Sequence, residues 1–212
     1  MKVLVVGANG LTGRRLVRFL AHGPHEPVAL VRDPKQAPTF EELGVPVRVG
    51  DLEAPLDEAV VGMDAVIFVA GSGSKTGPDK TLAVDRDGAI RLIAAMEAAG
   101  VPRYVMLSSR GADPESRGHA LSSYLRAKGI ADAHLRRSEL EWTILRPGRL
   151  TEDEGTGLIT VSRSPMTEGH TTRDTLARVL ARCLDEPATL QATLDMAEGG
   201  RPVDEALRGL AS

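Results

Sequence analysis

The chain begins with Lys2-Val-Leu-Val-Val6, then Gly7-Ala-Asn-Gly10-Leu-Thr-Gly13, then Arg14-Arg-Leu-Val-Arg-Phe-Leu20. The first stretch is continuously apolar, as a buried strand is, and the third has the apolar spacing of a helix. A glycine-rich turn between a strand and a helix lets the backbone approach a ligand and directs free helical N–H groups at an anion. This order is typical of the pyrophosphate-binding turn of dinucleotide-binding folds, although a turn used only for packing is the alternative.

Each glycine of this turn has a predicted role. Gly7 allows the tight turn, Gly10 lets the backbone reach phosphate oxygens, and Gly13 lets the helix lie close to the strand. Arg14, in the first helical turn, could add a phosphate contact. The predicted phosphate-binding residues are Gly7, Asn9, Gly10, Leu11, Thr12, Gly13 and Arg14.

Composition limits the classes of protein to which the chain can belong. A length of 212 residues predicts one domain, 1–212, with a single substantial core. The net charge of −3 and the low aromatic content argue against a nucleic-acid partner. No apolar run is long enough to span a bilayer, so the sequence predicts a cytoplasmic protein without a membrane partner, and it leaves the oligomeric state open.

Short apolar runs alternate with helical patterns along most of the chain. This alternation predicts an α/β fold, namely a Rossmann-type, doubly wound parallel sheet with helices on both faces. Residues 149–212 are expected to form a small C-terminal cap on the substrate side, with strands at 158–161 and 193–196 and a helix at 172–184. The other predicted strands are 3–6, 28–31, 45–49, 65–69, 104–107 and 142–145, and the clearest helices are 82–99 and 121–138.

The end of the second predicted strand bears on the choice of cofactor. It reads Arg32-Asp33-Pro34, and a guanidinium at this place suits a 2′-phosphate, which favours NADP over NAD. Asp33 could bind the ribose instead if the strand ended one residue later, and Arg32 could be an ordinary loop cation. Asp51, after the third strand, could accept from the adenine amino group while Leu52 packs on the base, although a helix N-cap is an equal alternative for Asp51.

A second glycine-rich edge follows the fourth predicted strand. Its residues Ala70, Gly71 and Ser72 are expected to approach the ribose and pyrophosphate of the cofactor. The only cysteine, Cys183, lies in an apolar helical pattern and is predicted to be a buried core thiol. His119 and His170 lie in polar loops without a second ligand at metal spacing, so no metal site is predicted.

Together these stretches resemble the atypical short-chain dehydrogenase/reductase superfamily. Within it, the chain is similar to small NAD(P)H-binding proteins often labelled NAD-dependent epimerases or dehydratases, which are related to biliverdin reductase B and the NmrA-like proteins. The resemblance covers nearly the whole chain. The matching stretches are 7–14, 30–34, 50–52, Val84-Asp-Arg-Asp-Gly88, Val105-Met-Leu-Ser-Ser109, Tyr124-Leu-Arg-Ala-Lys128 and Leu145-Arg-Pro-Gly148.

The resemblance implies a Ser–Tyr–Lys active site. Ser109 would polarise a carbonyl oxygen, Tyr124 would exchange the proton, and Lys128 would bind the nicotinamide ribose and favour the phenolate form of Tyr124. Residues four positions apart share a helix face, which independently allows the phenol and the ammonium group to meet in one cleft. The resemblance also implies cofactor contacts at Ser108, Pro147 and Gly148.

Two residues depart from the wider pattern. The helical Asn of the superfamily is Asp85 here, so any proton relay would differ, and Gly129 weakens the predicted helix that carries Lys128.

The motifs and the resemblance together predict an NADPH-dependent oxidoreductase that transfers hydride to a small carbonyl, quinone or flavin-like acceptor. The alternative is a non-catalytic NADP(H)-binding redox sensor. The substrate-lining residues are expected in the segments 73–80, 110–122 and 150–170.

Overall fold

The computed structural model describes residues 1–73 and 76–211. Within them the chain alternates strands and helices, as predicted. The strands are β1 (Lys2–Val6), β2 (Glu26–Val31), β3 (Val47–Val49), β4 (Ala65–Phe68), β5 (Arg103–Leu107), β6 (Glu141–Pro147), β7 (Arg149–Thr151), β8 (Leu158–Ser162), β9 (His170–Thr172), β10 (Ala192–Glu198) and β11 (Arg201–Pro202). The α-helices are α1 (Leu11–Ala21), α2 (Pro38–Glu41), α3 (Asp57–Val60), α4 (Pro78–Thr81), α5 (Ala89–Ala99), α6 (Ser122–Leu135), α7 (Arg173–Arg182) and α8 (Val203–Arg208).

The main sheet has the strand order β11-β8-β10-β6-β5-β4-β1-β2-β3. The strands from β3 to β10 in this order pair in parallel, whereas β8 and β11 add an antiparallel edge. The chain runs outward from β1 to β3 and then returns to β4 on the other side of β1. In such sheets ligands bind beyond the carboxyl ends of the strands at this reversal, which places the candidate site after β1 and β4.

Helices cover both faces of the sheet, which explains why the central strands β1 and β4 are apolar almost throughout. In β1 the side chains of Val3 and Val5 join the core under α1 and α7, and those of Leu4 and Val6 join the core under α5 and α6. Successive side chains of a strand point to opposite faces, so a strand buried on both sides has no polar position to spare. The Rossmann-type α/β prediction is therefore confirmed.

Several elements differ from the predicted ones. The predicted helix 82–99 consists of a π-helix at Leu82–Gly88 followed by α5, and α4 directly precedes it. The C-terminal residues contain β7, β9, β11 and α8, none of which the sequence pattern indicated. Residues 149–212 were expected to cap the substrate side, and in the structure they also extend the main sheet through β10, β8 and β11.

Two further features are the surroundings of Cys183 and the length of the helices. Cys183 is buried, as predicted, and burial raises the pKa of its thiol to about 12. Within the described ranges, the structure contains no helix of the length and apolarity that crossing a membrane requires.

Candidate functional site

Two neighbouring cavities lie beyond the carboxyl ends of β1 and β4. The larger has a volume of about 790 Å³ and the smaller about 420 Å³. They share part of their walls: Gly7, Gly10, Ala70, Gly71, Ser72 and Thr76 line both. The two glycine-rich turns predicted to face a cofactor therefore form the junction between the cavities.

The first glycine turn opens the N-terminus of α1 toward this junction. Gly10 precedes the helix, and no described side chain caps the first-turn N–H groups, which leaves them available to a ligand. Gly13 packs as predicted, because a Cβ added there would lie 2.2 Å from the carbonyl oxygen of Gly7. Gly7 has a φ of +88°, and a Cβ on it would lie 2.6 Å from the backbone of Ala70.

The smaller cavity contains the residues predicted to bind the adenosine half of a dinucleotide. Arg32, Asp51 and Leu52 line it, together with Asn9. The guanidinium of Arg32 makes no hydrogen bond or ion pair to any described residue. By contrast, the Asp33 carboxylate accepts from the backbone N–H of Lys35 and caps a short 3₁₀ helix. The structure therefore leaves Arg32, rather than Asp33, free to contact a ligand.

Two other predicted contacts in this region already have partners. The Asp51 carboxylate accepts from the backbone N–H of Glu53 at 3.0 Å, a turn-capping role close to the predicted alternative. Arg14 is exposed and does not line either cavity. Its Nη2 donates to the side-chain oxygen of Asn9 at 2.6 Å. A phosphate contact from Arg14 stays a prediction.

The larger cavity brings together most of the residues implied for catalysis. Ser108, Tyr124 and Lys128 line it, with Leu11 and Thr12 from the start of α1. Tyr124 and Lys128 lie one turn apart on α6, and the Nζ atom of Lys128 lies 6.0 Å from the centre of the Tyr124 ring. The predicted proximity of the phenol and the ammonium group is present.

Ser109, Pro147 and Gly148 do not line either cavity. The hydroxyl of Ser109 donates to the carbonyl of Arg110 at 3.3 Å. Gly148 packs beneath the backbone of Gly169, where an added Cβ would lie 2.2 Å from the carbonyl oxygen. Ser108, one position before the serine implied by the resemblance, lines the larger cavity, but its Oγ atom is buried. The roles predicted for Ser109, Pro147 and Gly148 stay predictions.

A buried ion pair supports the floor of the larger cavity. The Nζ atom of Lys128 lies 3.0 Å from Oδ1 of Asp85, and their side chains are only 4% and 0% exposed. Oδ2 of Asp85 accepts from the backbone N–H of Ser72 at 2.9 Å, so the carboxylate links α6 to the second glycine turn. Burial alone lowers the pKa of Lys128, but pairing with Asp85 is the largest of the opposing influences, and the net pKa lies above its usual value.

The next turn of α6 carries a second buried carboxylate. Oδ2 of Asp132 accepts from Nε and Nη2 of Arg146 at 2.9 and 2.7 Å. Burial raises the pKa of Asp132 more than Arg146 lowers it. This pair fixes α6 against β6, and therefore fixes the helix that presents Tyr124 and Lys128.

The structure explains why a glycine, which is unfavourable within a helix, occupies position 129. A Cβ added to Gly129 would lie 2.3–2.6 Å from the backbone of Asp113 and Pro114. Glycine thus allows the loop after β5 to cross α6 directly beside Lys128. Its effect on helix propensity is the cost of this close approach.

The C-terminal segment contributes two residues to the larger cavity, Leu150 and Arg173. Leu150 lies in the predicted segment 150–170, whereas Arg173 lies beyond it and was not predicted. Ala120 and Leu121, from the predicted segment 110–122, line the same cavity. Thr76 and Pro78 also line it. Each predicted substrate segment therefore contributes some of its residues to the larger cavity. Residues 74 and 75 of the segment 73–80 lie outside the described residues.

These features fit a dinucleotide. The uncapped start of α1 lies at the junction where a pyrophosphate would bind, because Gly10 lines both cavities. Arg32, whose guanidinium has no partner among the described residues, lines one cavity, and Tyr124 and Ser108 line the other. One cavity can therefore hold the adenosine half, while the other holds the nicotinamide half beside an acceptor.

Comparison with known proteins agrees with this geometry. Residues 7–187 match the model of a family described as NAD(P)H-binding. YhfK of Bacillus subtilis, named an uncharacterized sugar epimerase, is 40% identical and covers 99% of this chain and 100% of its own. The ceramide reductase of Caulobacter vibrioides is 31% identical and covers 99% of this chain and 69% of its own.

A solved structure gives the same result. A protein from Bacillus halodurans, provisionally assigned as an NAD-dependent epimerase/dehydratase, superposes with a TM-score of 0.94. It is 40% identical, and the match covers 99% of each chain. The chain described here therefore belongs to the NAD(P)H-binding family, in the atypical short-chain dehydrogenase/reductase group to which the sequence motifs pointed.

Proposed function

We propose that the protein is an NADPH-dependent oxidoreductase that reduces a small carbonyl, quinone or flavin-like acceptor. The observation that carries the proposal is the common wall of Ser108, Tyr124 and Lys128 in the larger cavity, beside the open start of α1. Nicotinamide cofactors supply hydride when bound. The name of the Caulobacter relative, a ceramide reductase, supports reduction as the direction of the reaction.

The protein's own groups have separable roles in this proposal. Tyr124 gives a proton to the acceptor oxygen as general acid. A serine hydroxyl orients the same oxygen. Ser108 is the candidate that lines the cavity, and a rotation of its side chain is needed to bring its buried Oγ atom to the acceptor. Lys128, paired with Asp85, fixes the part of α6 that carries Tyr124. Arg32 pairs with the 2′-phosphate and selects NADPH.

The first test is Tyr124→Phe, assayed with an aldehyde or ketone and with a quinone. Removing the phenol should lower carbonyl turnover by about 10²- to 10⁴-fold, the usual range for a general acid. Quinone reduction should fall less, because its proton can come from solvent. NADPH affinity, measured by fluorescence titration, should stay within about twofold because binding does not use the phenol.

The paired variants Ser108→Ala and Ser109→Ala complete the test. We expect Ser108→Ala to slow carbonyl reduction and Ser109→Ala to have the smaller effect, since only Ser108 lines the cavity. Full activity of Tyr124→Phe on every acceptor would show that the tyrosine only shapes the pocket.

The redox-sensor function remains the second candidate, because one observation favours it. The ammonium of Lys128 already interacts with Asp85 at 3.0 Å and lies near the carbonyl oxygens of Leu107 and Ala70 at 3.3 and 3.4 Å. A lysine so fully engaged could serve only to shape a binding pocket. Tight NADPH binding with no turnover of aldehydes, quinones or flavins would establish the sensor and reject the enzyme.

A further inference from the structure

Arg173 is a cationic cavity residue that the proposed reaction does not use. It is the first residue of α7, and it lines the larger cavity together with Leu11 and Leu150. The side chain is only 20% exposed. Its Nε and Nη1 atoms are closed to solvent, so the donor that an anion in the cavity can reach is Nη2. Nη2 makes no hydrogen bond or ion pair to any described residue, and a partly buried guanidinium donor gains from a charged acceptor.

Arg173 shares its carboxylate partner, Glu152, with a second arginine. Its Nε atom lies 3.0 Å from a carboxylate oxygen of Glu152. The other oxygen of Glu152 lies 3.0 Å from Arg15, so two guanidinium groups share one carboxylate. The neighbouring carboxylate, Asp174, pairs with Arg15 at 2.7 Å. The two arginines and two carboxylates balance in charge, so what Arg173 offers to a further partner is its unpaired Nη2 donor.

The remaining charged groups on the described wall of this cavity neutralise each other. They are Lys128 and Asp85, which form the buried ion pair. Most of the other described wall residues are apolar or small, among them Leu11, Ala120 and Leu121. An anion that enters the cavity would thus find its strongest complement at Arg173.

We propose that Arg173 binds a carboxylate on the acceptor, so that the substrate is an acidic carbonyl or quinone compound. This inference rests on the proposed oxidoreductase function. The pyrophosphate of the cofactor is the other anion that Arg173 could bind. The glycine turn at the junction of the cavities is the expected pyrophosphate site, however, and Arg173 lines only the larger of the two cavities. Glu152, beside the guanidinium, also disfavours a doubly charged group more than a singly charged carboxylate.

The test compares p-formylbenzoate with its neutral methyl ester. Their binding to the full-length protein saturated with NADP⁺ is measured by calorimetry, which requires no turnover. The wild-type protein should bind the acid about 10- to 100-fold more tightly than the ester, the range expected for a charge-assisted hydrogen bond. Arg173→Gln should remove this preference while leaving the affinity for the ester and for NADPH within about twofold.

Two further variants make the test specific. Arg149→Gln removes an exposed arginine of β7 that does not line the cavity, and it should keep the preference for the acid. Glu152→Gln removes the carboxylate that competes for Arg173, and it should tighten binding of the acid about threefold or more without changing the ester. Such a gain of affinity cannot come from misfolding, so it remains informative if Arg173→Gln does not fold.

Three outcomes would overturn the proposal. One is equal affinity of the wild-type protein for acid and ester. Another is an unchanged preference for the acid in Arg173→Gln. The third is a loss of NADPH affinity in Arg173→Gln with the preference for the acid retained, which would assign the guanidinium to the pyrophosphate. A preference for the acid without turnover would contradict the oxidoreductase function and leave the anion site standing.

Discussion

At the scale of single residues, three arginines differ in whether their guanidinium groups already have hydrogen-bond partners. Arg103 is buried, and its guanidinium donates to the carbonyls of Glu141 and Cys183, so its donors serve the fold. Arg146 is committed to Asp132. Arg32 is exposed at the wall of the smaller cavity and makes no such bond to any residue that the structure describes. The sequence predicted Arg32 as a ligand contact from its place after a strand, and the structure explains why its donors are free.

Arg32→Ala should therefore discriminate between the two cofactors. Loss of a hydrogen bond to a charged group costs about 1.5–3 kcal/mol, so NADPH should bind roughly 10- to 100-fold more weakly. NADH lacks the 2′-phosphate and should change little. Fluorescence titration of both cofactors provides the measurement, with Arg18→Ala, an exposed arginine on α1 outside both cavities, as the matched control. Equal losses for NADPH and NADH would show that Arg32 does not contact the 2′-phosphate.

Residue scale is also where prediction from sequence reached its limit. The pattern placed two adjacent serines after the fifth strand, but neighbouring side chains at the end of a strand point in different directions. Ser108 lines the larger cavity, whereas the hydroxyl of Ser109, one position later, donates to a backbone carbonyl. Gly129 shows the same limit, because the backbone of Asp113 that it accommodates is distant in sequence.

At the scale of elements, the π-helix at Leu82–Gly88 determines where Asp85 lies. A π-helical turn has wider i→i+5 hydrogen bonding and commonly occurs at functional sites. The apolar periodicity of residues 82–99 predicted a helix but not this local widening, because the period of the flanking α-helix dominates the pattern. The resemblance identified Asp85 as a departure from Asn, and the structure shows its partners to be Lys128 on α6 and the N–H of Ser72.

The coupling between these two elements can be measured with a double-mutant cycle of Asp85→Asn and Lys128→Met. Removing one partner of a buried pair leaves an uncompensated charge and costs about 3–5 kcal/mol. We expect each single variant to lose stability in urea denaturation and the double variant to lose at least about 2 kcal/mol less than the sum. The exposed pair of Glu115 and Arg117 is the control, with a coupling of about 0–1 kcal/mol. Additive losses at Asp85 and Lys128 would contradict a direct ion pair.

At the scale of the whole molecule, the order of the central strands follows from the alternation of strands and helices. Right-handed crossovers and buried parallel strands leave few other arrangements for such a pattern. The C-terminal part was less predictable, because β10 pairs with β6 across more than 40 residues and β8 then adds an antiparallel edge. The same long-range pairing brings α7, and with it Arg173, beside α1 at the site. Local patterns do not contain that information.

Because the start of α1 and loops from several strands meet at the two cavities, cofactor binding should stabilise the entire fold. At a concentration of 100 Kd, a ligand that binds only the folded state contributes about 2.7 kcal/mol. For a chain of this size, NADPH should therefore raise Tm in differential scanning fluorimetry by about 5–10 °C.

Two glycine variants of the same turn separate binding from folding. A Cβ on Gly10 meets only the carbonyl oxygen of Gly7, at 3.3 Å, and the φ of −73° accepts a side chain, so Gly10→Val should keep the Tm of the ligand-free protein. Its side chain would occupy the place of the pyrophosphate, and the NADPH-induced shift should vanish. Gly13→Val should instead lower the Tm without ligand, because its Cβ would lie 2.2 Å from the backbone of Gly7. A full NADPH shift in Gly10→Val would show that the turn packs the fold without binding the cofactor.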